Sequence, residues 1–199
     1  MSRRSRSFRR AIRRQIGRLW LWVFGWKVIG PPPSVPKAVV VAYPHTSNWD
    51  FPFALAVSYY HDVDIRWLGK KAMFRFPFGS FFRWLGGIPV DRSKSNGLVD
   101  SVIEALEPYD EMAVVIPPEG TRGAAGRWKS GFYWIAHRAG LPIVLSFLDY
   151  SRREGGVGTV FETTGDIEAD LLKIREFYVD VKGRYPEKQV PISLLDPAA

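Results

Sequence analysis

The 199-residue chain contains no cysteine. Without a thiol it has no disulfide framework, no cysteine nucleophile and no cysteine-ligated zinc or iron–sulfur site. Its three histidines, His45, His61 and His137, do not show the spacing of a metal-binding motif. We therefore expect neither a metal ion nor another cofactor.

Long apolar segments are also missing. The apolar run near the N-terminus, Leu19 to Trp26, has eight residues, whereas a membrane-spanning helix needs about 20. The run is rich in tryptophan, and three prolines, Pro31 to Pro33, follow it instead of the small residues of a signal-peptide cleavage site. The sequence therefore predicts neither a transmembrane helix nor a cleaved signal peptide.

Acidic residues are absent from the first 30 positions, which hold eight arginines and one lysine. The remaining chain has 19 basic and 20 acidic residues, so the net charge of +8 belongs to this N-terminal arm. The composition, 46% hydrophobic and 24% charged, is typical of a folded globular protein. The length suits one domain in addition to the arm.

The arm has the pattern of a basic amphipathic helix, with apolar residues recurring every three or four positions and arginines on the opposite side. The apolar set is Phe8, Ile12, Ile16, Leu19 and Val23, and the basic set is Arg6, Arg9, Arg10, Arg13, Arg14 and Arg18. This pattern favours a helix in the interface of an anionic membrane, with its arginines on the head groups. The alternatives are a helix that docks on its own domain and an arm that binds nucleic acid. Because tryptophans cluster at its end, we expect no nucleic-acid partner.

The rest of the chain alternates between strand and helix patterns. Strands are predicted at 38–43, 65–68, 112–116, 142–149 and 157–162, and helices at 48–60, 95–107, 130–139 and 167–183. This alternation predicts an α/β domain with a mostly parallel central sheet flanked by helices, and strand 157–162 as an antiparallel edge. We divide the chain into the arm (1–30), a proline-rich linker (31–36), the main domain (37–185) and a C-terminal tail (186–199).

His45 and Asp50 follow the first of these strands. Ser47 or Asn48 is expected to cap the next helix, which places His45 in the turn and Asp50 in the first helical turn. A carboxylate there can reach one imidazole nitrogen, leaving the other as a general base. The pair alone also fits an ordinary turn and helix cap.

Two further segments carry candidate site residues. Residues 118–122 read Pro-Glu-Gly-Thr-Arg directly after the strand 112–116, at the carboxyl end where ligands bind in α/β sheets. Residues 86–92 read Gly-Gly-Ile-Pro-Val-Asp-Arg. Each segment alone is also compatible with a simple turn.

Together the three segments resemble the glycerolipid acyltransferase family, which includes 1-acylglycerol-3-phosphate acyltransferases. His45, Ser47 and Asp50 match its His-x-Ser-x-x-Asp block, 86–92 its glycine-rich block ending in Asp-Arg, and 118–122 its Pro-Glu-Gly-Thr-Arg block. Residues 141–144 resemble a fourth block, although Leu145 replaces its second proline, and Pro44 stands where Asn often precedes the histidine. The resemblance covers about residues 38–150.

The resemblance implies acyl transfer from a thioester, acyl-CoA or acyl carrier protein, to a hydroxyl of a lysophospholipid such as lysophosphatidate. His45 would be the general base and Asp50 would hold its tautomer. No acyl-enzyme is expected, because the chain has neither a cysteine nor a Gly-x-Ser-x-Gly serine.

In this resemblance the arginines of two blocks, Arg92 and Arg122, hold the acceptor phosphate. Glu119, with Gly120 and Thr121, belongs to the acceptor loop, where Glu119 orders the loop and Arg122. The protein would then be peripheral, on the cytoplasmic face of a membrane.

Two other features remain open. Lys70 and Lys71 are candidate contacts for phosphate or head groups, or simply a solvated strand end. The aromatic segment 74–84 fits an acyl-chain channel, a second membrane-inserting loop or ordinary core. A non-enzymatic membrane or nucleic-acid adaptor that uses the arginine-rich arm is the alternative to the enzyme.

Overall fold

The computed structural model describes residues 3–90, 97–120 and 126–194. These residues form one seven-stranded sheet. The strands are β1 (Lys27–Ile29), β2 (Lys37–Ala42), β3 (Ile65–Lys70), β4 (Gly87–Val90), β5 (Met112–Ile116), β6 (Ile143–Asp149) and β7 (Glu154–Phe161). Across the sheet their order is β1–β7–β6–β2–β5–β3–β4.

The sheet is mostly parallel, which confirms the predicted fold class. Among the described strands only β6 and β7 pair antiparallel, and a short turn connects them. The central strands β2, β5 and β6 are nearly continuous runs of Val, Ile, Leu and Ala, because helices cover both faces of a parallel sheet. The position of β7 differs from the prediction: β1 pairs with it in parallel, so β7 is not an edge. The expected arm of residues 1–30 therefore contributes one strand to the sheet.

Six α-helices of the described residues surround the sheet. They are α1 (Arg3–Val23), α2 (Asp50–His61), α3 (Gly79–Trp84), α4 (Leu98–Leu106), α5 (Gly131–Ala139) and α6 (Ile167–Tyr178). Asp166 caps α6 by accepting from the backbone N–H groups of Glu168 and Ala169 at 3.1 Å. This helix ends at Tyr178, five residues before the predicted end at 183.

Alternate residues of the strands face two separate layers, as the two-residue period of a strand requires. Val39 and Val41 of β2 are buried in the main core with residues of α4, α5 and α6. Ala38 and Val40 point to the other face of the sheet. Helix α2 lies over β6 and β7 on that second face and packs through Phe53, Ala56 and Val57 against Leu148 of β6 and Leu21 of α1.

Helix α1 docks directly on α2. At Gly17 the two helices approach so closely that a Cβ would meet the backbone oxygen of Ala56 at 2.6 Å. Leu21, one helical turn later, is buried with Phe53. Of the arrangements that the sequence left open, the structure therefore shows α1 packed against its own domain.

Three arginines of α1 face acidic residues of the domain. Arg10 and Arg14 lie 3.9 and 3.7 Å from the carboxylate of Asp62. Arg13 lies 3.8 Å from that of Asp64. Such exposed pairs each contribute about 0–1 kcal/mol. This arrangement differs from the expectation that these arginines lie on lipid head groups, because acidic residues of the same chain take that place.

The opposite, apolar side of α1 is left exposed. Its members are Phe8, Ile12, Ile16, Leu19, Trp22 and Val23, with Trp22 exposed to 77%. We call these six residues the apolar face of α1. Within the described parts of the chain, no helix combines the length and apolar composition needed to cross a membrane.

Candidate active site

The candidate site lies at the carboxyl ends of β2 and β5, which are neighbours in the sheet. The two strands are parallel and in register from Lys37 with Met112 to Val41 with Ile116. The segments that follow them therefore emerge at the same edge, and His45 and Glu119 meet there. This is the position where ligands generally bind in α/β sheets.

His45 and Asp50 contact each other as the spacing predicted. Asp50 is the first residue of α2, and His45 precedes the helix in an irregular turn. The imidazole Nδ1 lies 3.1 Å from Oδ2 of Asp50. A proton on Nδ1 donates to this carboxylate and leaves the lone pair of the imidazole on Nε2.

The same carboxylate oxygen also organises the turn. Oδ2 of Asp50 accepts from the backbone N–H groups of Thr46 and Ser47, each at 2.9 Å. The hydroxyl of Ser47 in turn accepts from the backbone N–H of Trp49 at 3.1 Å, in place of a standard helix cap. Because Asp50 is only 5% exposed, these donors replace the water that the carboxylate loses.

Tyr150 completes the environment of Asp50, and sequence reasoning missed it. Its hydroxyl donates to Oδ1 of Asp50 at 2.7 Å. Burial raises the pKa of the Tyr150 hydroxyl far above its ordinary value, so this hydroxyl stays a donor. Tyr150 directly follows β6, which pairs with β2, so the adjacency of these strand ends is the signal that would have found it.

Glu119 holds the backbone of His45. Its carboxylate oxygens lie 2.9 and 3.2 Å from the backbone nitrogen of His45, which donates to them. The side chain is 5% exposed, and burial raises its pKa to about 8, although the N–H of His45 opposes the shift and the charge of Asp50 adds to it. Glu119 thus ties the turn after β2 to the turn after β5.

The other predicted site residues lie outside this cluster or outside the described chain. Arg92, Thr121 and Arg122 fall in segments 91–96 and 121–125, which the structure does not describe. Gly120 is exposed, with a positive φ of 70° that suits glycine in a tight turn. Lys70 and Lys71 are exposed at the end of β3.

Metal-ligating side chains do not gather anywhere in the described chain: no group of three His, Asp or Glu could hold an ion there. The chemistry available to the described site is that of an imidazole fixed by a carboxylate, which suits proton transfer.

The aromatic segment 74–84 divides into two parts. Phe74 is buried and packs on Trp67, whereas most of the other aromatic side chains of the segment are exposed. The exposed members are Phe76, Phe78, Phe81 and Trp84. Ordinary core therefore accounts for only part of this segment.

Comparison with known proteins identified one domain family. The family model for Acyltransferase matches residues 27–145, from β1 to the middle of β6, and so includes both turns of the candidate site. No curated protein and no solved structure matched the chain. Because the family model spans more than half of the 199 residues, the chain belongs to the glycerolipid acyltransferase family, and its general activity is acyl transfer.

Proposed function

We propose that the protein transfers a fatty acyl group from an acyl thioester, acyl-CoA or acyl carrier protein, to a hydroxyl of a lysophospholipid such as lysophosphatidate. The observation that carries this proposal is the contact between His45 Nδ1 and Asp50 Oδ2, inside the segment matched by the family model. The thioester is a co-substrate, and the proposal includes no cofactor.

In the proposed reaction His45 is the general base. Nε2 takes the proton of the acceptor hydroxyl while its oxygen attacks the thioester carbonyl carbon. The tetrahedral intermediate then expels the thiolate, and the thiolate takes this proton from Nε2. Asp50 keeps Nδ1 protonated and stabilises the imidazolium that forms between these steps.

The transfer proceeds without an acyl-enzyme. The chain has no cysteine, and none of its serines lies in a Gly-x-Ser-x-Gly turn. Ser47 is the serine closest in sequence to His45, and its hydroxyl accepts from the N–H of Trp49 at the start of α2. The acceptor hydroxyl is therefore the direct nucleophile.

The acceptor carries a phosphate that Arg92 and Arg122 bind, each with a planar pair of N–H donors. Support for this assignment comes from the match of both arginines to family blocks. Glu119 supports the same loop by anchoring the turn of His45.

The protein associates peripherally with an anionic membrane, on its cytoplasmic face, and the apolar face of α1 makes the contact. An exposed row of Phe, Ile, Leu and Trp on one helix side favours the lipid interface over water. Lysolipid acceptors are delivered from such a surface.

The proposal is tested by incubating the purified chain with acyl-CoA and a panel of lysophospholipids, followed by mass spectrometry of the lipids. We expect one acyl mass to be added to a phosphorylated lysolipid, and no addition with the His45→Ala variant. Acyl-CoA and acyl carrier protein are compared as donors in parallel. Failure of every lysolipid with both donors would contradict the proposal.

A further inference from the structure

An open recess of about 460 Å³ lies beside Tyr150, where the end of α1 meets the segment that follows α6. Its lining combines aromatic rings with two cations: Phe24, Trp26, Trp49, Phe53, Arg153 and Arg184. Tyr150 also lines it and links it to the active site, because its hydroxyl donates to Asp50. The recess is therefore next to the proposed chemistry.

Arg184 lies against three aromatic rings. Its guanidinium carbon lies 5.4 Å from the ring centre of Trp49, 6.0 Å from that of Tyr150 and 5.8 Å from that of Tyr185. Cation–π contacts of this kind fix the position of the guanidinium without consuming the N–H donors along its edge.

Neither cation of the recess is neutralised by the described chain. Among residues 3–90, 97–120 and 126–194, no carboxylate makes an ion pair with Arg153 or Arg184. Arg152, by contrast, pairs with Asp149 at 2.8 Å and with Glu154 at 3.4 Å. Two unneutralised guanidinium groups in one recess favour an anionic occupant.

The recess also continues into the apolar face of α1. Val23 belongs to that face and lines the recess. The next residue, Phe24, also lines it, and its ring centre lies 6.1 Å from that of Trp49. Phe24 and Trp49 are themselves partly exposed. An occupant therefore meets cationic groups on one side and an apolar, surface-exposed helix on the other.

We propose that this recess binds a glycerolipid, with the phosphate on Arg184 and Arg153 and the acyl chain along Phe24 and Val23 toward the apolar face of α1. The inference rests on the proposed function, in which the lipid is the acceptor or its acylated product. Arg184 and Arg153 thus hold the phosphate of the lipid before or after the reaction, whereas Arg92 and Arg122 hold the phosphate of the reacting acceptor.

The binding test uses dihexanoyl phosphatidate below its critical micelle concentration, titrated calorimetrically into the full chain without an acyl donor. Arg184→Gln is expected to weaken binding by about 10-fold, which corresponds to about 1.4 kcal/mol. Arg138→Gln is the matched control, because Arg138 lies on α5 and pairs with Asp100. This control is expected to bind like the unmodified protein.

Two further titrations test whether the recess recognises the whole lipid and whether it needs a planar guanidinium group. Inorganic phosphate should bind more weakly than dihexanoyl phosphatidate, because it lacks the apolar part. Arg184→Lys, which retains the charge but loses the planar group over the rings, should also bind the lipid more weakly. Melting curves of the variants check that each remains folded.

CoA is titrated in parallel. Three results would overturn the inference: Arg184→Gln binds dihexanoyl phosphatidate as tightly as the unmodified protein, inorganic phosphate binds as tightly as dihexanoyl phosphatidate, or Arg184→Gln weakens the binding of CoA but not of phosphatidate. Each leaves the proposed acyl transfer intact, because binding is measured without turnover. Conversely, an Arg184-dependent lipid site in a chain without transferase activity would refute the proposed function and retain the site.

Discussion

The hydroxyl of Tyr150 donates a hydrogen bond of 2.7 Å to Asp50, which precedes it by 100 positions in the chain. Oδ1 of Asp50 accepts this bond, while Oδ2 faces His45 and two backbone N–H groups. The rotation of the carboxylate is thereby fixed, and with it the orientation of the imidazole. Tyr150 is a positioning residue in the proposed mechanism because it acts through Asp50.

Removal of this hydroxyl should reduce turnover more than substrate binding. We expect Tyr150→Phe to lower kcat by about 10-fold, the effect of one lost hydrogen bond to a charged group. The ring remains packed at 4.9 Å from Trp26, between ring centres, so KM should change little. Steady-state kinetics with the acceptor found by lipid mass spectrometry measures both constants.

Tyr43→Phe is the control for loss of a buried hydroxyl. The Tyr43 hydroxyl donates to the backbone oxygen of Val190 at 3.0 Å and so supports the fold near the same edge of the sheet. This variant should melt at a lower temperature with kcat nearly unchanged. An equal loss of kcat in both variants would show that the effect of Tyr150 is structural.

His45→Ala should abolish transfer and leave the fold intact. A positioned general base contributes about 10²–10⁴-fold to the rate, so kcat should fall by at least about 100-fold. The side chain is 20% exposed and sits in a turn, so its removal opens no core. His137→Ala, which removes an exposed histidine of α5 bonded to Thr163, is the matched control. Retained turnover in His45→Ala would remove His45 from the mechanism.

Local patterns predicted the elements of the site well. The strand at 112–116 and the position of His45 outside α2 followed from short apolar runs and turn chemistry, which act over a few residues. The approach of the turns after β2 and β5 follows from parallel pairing. The contact between His45 and Asp50 was therefore predictable from the sequence.

Long-range pairing was less predictable. The edge position of β1 depends on three residues, Lys27–Ile29, too few to give a strand pattern. The apolar pattern of α1 does not show which side of the helix packs on the domain. The periodic apolar residues face solvent, while Gly17 and Leu21 on the opposite side contact α2. A glycine that allows close helix approach carries little hydropathy signal, although its position opposite the apolar face was visible in the sequence.

Glu119 should make stability depend on pH. Its pKa is raised from 4.5 to about 8 in the folded protein, so the folded state binds more protons than the unfolded state between these values. The free energy of unfolding should therefore fall as pH rises from about 4.5 to about 8, by at most about 1.4 kcal/mol per pH unit from this group. Urea unfolding of the wild type and of Glu119→Gln at several pH values isolates the contribution. If the free energies of unfolding of the two proteins changed with pH in the same way, this contribution of Glu119 would be contradicted.

The apolar face of α1 should govern membrane binding. Ile16→Glu and Leu19→Glu place a charge on exposed positions, so we expect at least a 10-fold loss of co-sedimentation with anionic vesicles and little change in melting temperature. Leu172→Glu is the control, because Leu172 is equally exposed but lies on α6. Substitutions are preferable to deletion of residues 1–30, which also removes buried Leu21 and β1. Equal binding by all variants would refute this role of α1.

The last prediction separates phosphate recognition from a structural role for Arg92 and Arg122. Replacement of either by Lys keeps the charge and loses the planar pair of donors, a change that is not conservative at a bidentate site. A charge-assisted hydrogen bond contributes about 1.5–3 kcal/mol, so kcat/KM for lysophosphatidate should fall by about 10-fold to 100-fold or more.

The comparison that decides between the two roles uses an uncharged acceptor. With monoacylglycerol, which has no phosphate to bind, Arg92→Lys and Arg122→Lys should lose much less activity, and their melting temperatures should barely change. If the arginines instead form structural ion pairs, the variants should be less stable and should lose the same activity with both acceptors. Equal losses on lysophosphatidate and monoacylglycerol, or a large drop in melting temperature without selectivity, would therefore assign both arginines to the fold.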